Sequence, residues 1–113
     1  MRSIKILVVD DFEEFRRFVC ALLEPKTEFQ VTEATDGLEA VRKAEQLQPH
    51  LILLDIALPS LNGLEVAKRI REFAPNTRIL FLSGESSPDV VHEALNLGAL
   101  GYVHKPEVHF HAF

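Results

Sequence analysis

The 113-residue chain has a single cysteine, Cys20, so no disulfide can form within it. That suits a reducing compartment. Phe15, Phe18, Val19, Leu22 and Leu23 surround Cys20 at helical spacing, which predicts a packed thiol, not a reactive one. No run of Lys or Arg stands out, and the net charge is −5. A nucleic-acid footprint needs a concentrated basic face, so none is expected on this chain. No apolar run reaches membrane-spanning length. The opening Met1-Arg2-Ser3 leads at once into a short run ending in Asp10, so no signal peptide is expected. The expected location is the cytoplasm. There is no internal repeat, no low-complexity tract, no Gly-x-x-x-x-Gly-Lys phosphate loop and no Gly-x-Gly-x-x-Gly turn. Ser83 stands in no Gly-x-Ser-x-Gly elbow.

What is present alternates. Residues 4–9, 29–34, 51–54, 78–82 and 100–103 read as strands. Helical spacing occupies 13–24, 38–47 and 64–74, with Leu38, Val41, Ala44 and Leu47 expected inward on the second. Pro25 stops the first helix. Ser86 or Ser87 caps a fourth, whose first turn holds Pro88 and Asp89 and whose end is marked by Gly98. Residues 29–34 alternate like a half-exposed edge strand, whereas 51–54 are apolar throughout and read as central. Five strands alternating with helices predict an α/β fold with a parallel sheet and right-handed crossovers, one domain over residues 3–113. In such sheets the ligand sits beyond the carboxyl ends of the strands.

Those ends carry the polar residues. Asp10-Asp11 follows the first strand, Asp55 the third and Ser83 the fourth. Adjacent strands gather the three carboxylates, and like charges so close call for a neutraliser. A hard divalent cation that keeps some of its waters suits such a site, and Mg²⁺ is the expected one. Taken singly, each residue has a plainer role: Asp10-Asp11 as a helix cap, Ser83 as a turn residue before Gly84, Lys105 and Tyr102 as solvated side chains.

Five motifs, in order and at matching spacing, carry a resemblance. They are Asp10-Asp11; Asp55 with Pro59 and Gly63 behind it; Leu82-Ser83-Gly84; Gly98-Ala99-Leu100-Gly101-Tyr102; and Lys105-Pro106. Over about residues 3–107 the chain resembles the receiver domain of two-component response regulators. The resemblance implies a flavodoxin-like sheet of order 2-1-3-4-5 and a phosphoacceptor switch loaded by a sensor histidine kinase. It implies Asp55 as phosphoacceptor, and Mg²⁺ held by Asp10, Asp11, Asp55 and the backbone carbonyl of Ala57. Lys105 and Ser83 would bind phosphoryl oxygens, with Ser83 and Tyr102 as the switch pair. Pro59, Gly63 and Pro106 would be structural, Pro106 after a cis peptide bond. A true phosphatase commonly needs a second catalytic acid and a cap, and neither is visible, so a switch and not an enzyme is expected.

The stretch around Gly98–Tyr102 looks most like receivers that precede DNA-binding output domains, although no such segment is present. The family carries a fifth helix after the Lys-Pro pair. Here residues 107–113 allow about two turns, so a truncated last helix is expected. Its Val108, Phe110 and Phe113 are expected to be disordered or to pack on a second copy, a homodimer. His104, His109 and His111 read as solvated, as do His50 and His92.

Overall fold

A computed structural model describes residues 3–85 and 87–105. Strands β1 (Ile4–Val9), β2 (Phe29–Ala34), β3 (Leu51–Leu54), β4 (Arg78–Ser83) and β5 (Gly101–His104) alternate with helices α1 (Glu13–Leu23), α2 (Gly37–Leu47), α3 (Gly63–Phe73) and α4 (Pro88–Asn96). Every strand pair is parallel and the order is β2-β1-β3-β4-β5, as expected, with β3 at the centre.

The strands are apolar on both faces because each face carries helices. Leu7, Val9, Ile52, Leu54, Ile79 and Phe81 pack against Ala40 and Ala44 of α2, Val66, Ala67 and Ile70 of α3, and Ala94 of α4. Ile6, Val8 and Leu53 face Phe15, Val19 and Cys20 of α1. β2 is only partly buried, as an edge strand should be.

Helix starts follow local chemistry. Asp36 accepts the Glu39 N–H at 2.9 Å while the Glu39 carboxylate accepts the Thr35 N–H at 2.7 Å, a reciprocal cap for α2. Asn62 caps α3 by accepting the Glu65 N–H at 3.0 Å. Ser87 is the N-cap of α4 but its side chain makes no capping bond.

Two helix faces differ in part from expectation. Leu38 is exposed because α2 turns its small residues Gly37, Ala40 and Ala44 to the sheet. On α1 the buried set is Phe15, Arg16, Val19 and Cys20, while Phe18 and Leu22 are exposed. Arg16 explains the turn: its guanidinium donates to Glu33 at 2.7 Å and to the Asp10 carbonyl at 3.0 Å, drawing a charged residue into the packed face. His50 is exposed as expected, yet its Nδ1 accepts the Lys5 N–H at 2.9 Å.

The expectations for Ser86, for Pro106 and its peptide bond, for the short last helix, and for packing of the tail lie outside the described residues, as do His109 and His111.

Cys20 is 4 % exposed, and burial first, then Glu33 and Glu24, push its thiol up to about 11. At pH 8 about one thiol in a thousand is ionised. Alkylation of the folded protein is therefore expected to be slower than that of the denatured chain by orders of magnitude, as mass spectrometry after an iodoacetamide pulse will read out. Equal rates would contradict this packing.

Candidate functional site

The parallel register places the ends of β1 and β3 side by side, with Val9 opposite Leu54. The ladder continues one step further: Asp10 N–H donates to the Ala34 carbonyl at 3.1 Å and Asp55 N–H to the Val9 carbonyl at 3.0 Å. Both side chains therefore emerge at one edge from fixed backbone. Asp10 is 1 % exposed and Asp55 3 %, while Asp11, one residue further, is exposed. One carboxylate oxygen from each of the three lies within 4.8 Å of the others.

Each carboxylate is oriented. Asp10 Oδ1 accepts the Phe12 N–H at 2.8 Å, so Asp10 shapes the turn into α1, whose N-cap is Phe12 and not an aspartate. Asp55 Oδ1 accepts the Ile56 N–H at 2.8 Å. Lys105, just past β5, reaches back to Asp55 Oδ2 at 3.1 Å and to Asp10 Oδ2 at 2.7 Å. The second approach is a close ion pair, so one ammonium serves both buried carboxylates.

Three carboxylates and one ammonium do not balance. Burial, the largest influence, raises the Asp10 carboxyl above its ordinary value; Lys105 and the Phe12 N–H pull it down, the Asp55 charge adds to the rise, and the net is upward. Burial alone would lower Lys105, but the Asp10 contact and the charges of Asp55 and Asp10 outweigh it, so the ammonium form is held more tightly than usual.

Ser83 and Tyr102 form a second group at the same edge. Ser83 is fully buried at the end of β4, opposite His104, and its hydroxyl accepts the Glu85 N–H at 3.2 Å. Tyr102 packs beside Phe81 with ring centroids 6.0 Å apart, and its hydroxyl donates to the Glu85 carbonyl. Burial first, then the charges of Glu85 and Asp55, raise its phenol above the ordinary value against the pull of the Ser83 hydroxyl. The His104 ring lies 3.1 Å from the Gly84 carbonyl.

The loop behind Asp55 is braced. Ala57 is exposed two residues on. The Pro59 carbonyl accepts N–H groups from Gly37 at 3.1 Å and Leu61 at 2.8 Å. Gly63 is buried so close that a Cβ would sit 2.1 Å from the Asp55 carbonyl oxygen. Sequence reasoning missed Arg16, whose only signal is a charge amid an inward helical face.

A cavity of about 630 Å³ lies at the opposite end of the sheet. There Arg71 donates to the carbonyls of Pro75, Thr77, Leu97 and Gly98. It is a clasp between chain segments, remote from the acidic cluster.

The model of the response regulator receiver domain matches residues 6–110. This chain belongs to that family. The receiver domain is 37% identical over 107 residues to protein-glutamate methylesterase/protein-glutamine glutaminase 3 of Geobacter sulfurreducens, covering 94% of this chain and 29% of that protein. It is 35% identical over 103 residues to chemotaxis protein CheY of Thermotoga maritima, covering 90% of this chain and 85% of that protein. The response regulator domain of Thermotoga maritima CheB superposes with TM-score 0.85 at 36% identity, over 96% of this chain and 84% of that one. The receiver domain thus spans less than a third of the methylesterases it matches and about half of the transcriptional regulators. No described helix is long and apolar enough to cross a membrane.

The donor set fits Mg²⁺: three hard carboxylates meet at one mouth, two of them buried, with a single ammonium beside them. Saturation at a hundredfold excess over Kd is expected to add about 2.7 kcal/mol of stability. The gain disappears in Asp11→Asn. With chelator, Asp10→Asn is expected to unfold at a higher temperature than the parent near pH 7. The sign follows from the raised folded-state pKa of Asp10: its contribution is whole below 3.8 and lost as pH rises through the folded value. Thermal melts in Mg²⁺ and in chelator decide both.

Proposed function

We propose that this receiver domain is a phosphoacceptor switch. A phosphoryl group passes from the phosphohistidine of a sensor histidine kinase to Asp55. The observation that carries the reading is the meeting of Asp10, Asp11, Asp55 and Lys105 at one strand edge.

An Asp55 oxygen attacks phosphorus, an O–P bond forms, the donor's N–P bond breaks, and the imidazole leaves with the electron pair. Ile56 N–H and Lys105 fix the carboxylate plane, so it is presented in one orientation. Lys105 then trades an Asp55 oxygen for a phosphoryl oxygen and offsets the charge that builds on transfer. Asp10, Asp11, Asp55 and the Ala57 carbonyl would hold Mg²⁺, which when bound neutralises phosphoryl oxygens. Ser83 turns its hydroxyl from the Glu85 N–H to the phosphoryl group, and Tyr102 moves into the space released. The edge formed by α4 and β5 is thereby biased between two states.

The switch works in the cytoplasm, and its output is control of transcription through a partner segment. This chain binds no nucleic acid itself, in keeping with its net charge of −5. Receivers that occupy about half of transcriptional regulators support that output.

The test is incubation with phosphoramidate, with and without Mg²⁺, followed by intact mass. One phosphoryl group held per chain, dependent on Mg²⁺, is expected. No uptake would make this a phosphate-free interaction module, and continuous release from organic phosphates would make it an enzyme; either overturns the reading.

A further inference from the structure

The Lys105 ammonium has a third neighbour besides the two carboxylates: the ring of Phe15, whose centroid lies 4.6 Å from Nζ. A cation that close to an aromatic ring is attracted by its negative face. Phe15 is 3 % exposed in the first turns of α1, and the next residue, Arg16, ties that turn to Glu33 and to the Asp10 carbonyl. The ring is therefore fixed relative to the acidic cluster.

We propose that Phe15 is a positioning residue for phosphoryl transfer, acting through Lys105. The inference rests on Asp55 being the phosphoacceptor. With Asp10 and Asp55 at 2.7 and 3.1 Å, the ring covers the side of the ammonium that water would otherwise occupy. Hydrogen bonds to carboxylate oxygens are directional and break when the ammonium shifts toward a phosphoryl oxygen. Attraction to a ring face is broad and survives the shift. Phe15 thus steadies Lys105 in both positions and lowers the cost of moving between them.

The test replaces Phe15 by 4-fluoro-, 3,5-difluoro- and 3,4,5-trifluorophenylalanine, which nearly keep its size while stripping the negative face. The rate of Asp55 phosphorylation by phosphoramidate is expected to fall stepwise, about threefold to tenfold at the trifluoro ring. In the unphosphorylated protein, the Lys105 ε-methylene protons are expected upfield of those of the other lysines, shielded by the ring. Phe15→Leu abolishes that shift. A flat fluorine series in a protein whose parent takes up phosphate overturns this proposal alone. No uptake by the parent overturns the phosphoacceptor reading and this proposal with it. Lys105 protons resonating with those of exposed lysines overturn the ring contact.

Discussion

Asp55→Asn is expected to take up no phosphoryl group, a fall of more than about a thousandfold to background, while keeping the fold. An amide oxygen of the same shape has neither the charge nor the nucleophilicity of a carboxylate. The Ile56 N–H still meets an oxygen at the Oδ1 position, where the parent bond is 2.8 Å. Lys105 keeps Asp10 at 2.7 Å, so its ammonium is not stranded. The edge also loses one of three crowded negative charges, which favours folding. Intact mass after phosphoramidate treatment, with circular dichroism to verify the fold, reads both halves. Uptake of a phosphoryl group by Asp55→Asn would move the acceptor elsewhere. Loss of fold would mean that the site carries more of the stability than its burial suggests.

Gly63→Ala is expected to cost about 3 kcal/mol of stability and to slow phosphorylation in whatever protein remains folded. The added Cβ would stand 2.1 Å from the Asp55 carbonyl oxygen and 2.8 Å from the Ile56 Cα. Both obstacles are backbone and cannot rotate aside. Relief must come from shifting the peptide after β3, and that peptide carries the N–H that orients Asp55 Oδ1. Gly84→Ala is the control, since a Cβ there meets nothing within 4 Å, and it should stay within about 0.5 kcal/mol of the parent. Urea unfolding of both variants checks the contrast. Equal midpoints would show that the α3 start can yield without strain.

Much of this was legible beforehand because strand ends and carboxylates coincide in the sequence. The apolar runs 4–9 and 51–54 could only be buried strands, and a parallel sheet then had to bring Asp10 and Asp55 together. Helix phase was less legible. Counting apolar positions put Phe18, Leu22 and Leu38 inward, yet all three are exposed. Periodicity records where apolar residues fall, whereas the face that packs is also set by polar anchors. Arg16 turns α1 through its bonds to Glu33 and the Asp10 carbonyl, and small Gly37 lets α2 press against the Leu61 backbone. Phe15 read only as a core residue, because a contact with a lysine ninety positions away leaves no local pattern.

The position of Lys105 has a consequence for how the molecule assembles. Its carboxylate partners stand behind β1 and β3, while the lysine is delivered only when β5 docks on β4. Contacts spanning most of the chain form late, because closing so large a loop costs entropy before anything is gained. A chain with the first four strands paired and β5 undocked would hold those acids without the ammonium. Docking of β5 on β4 brings the Lys105 ammonium to those acids and offsets their repulsion as the sheet is completed.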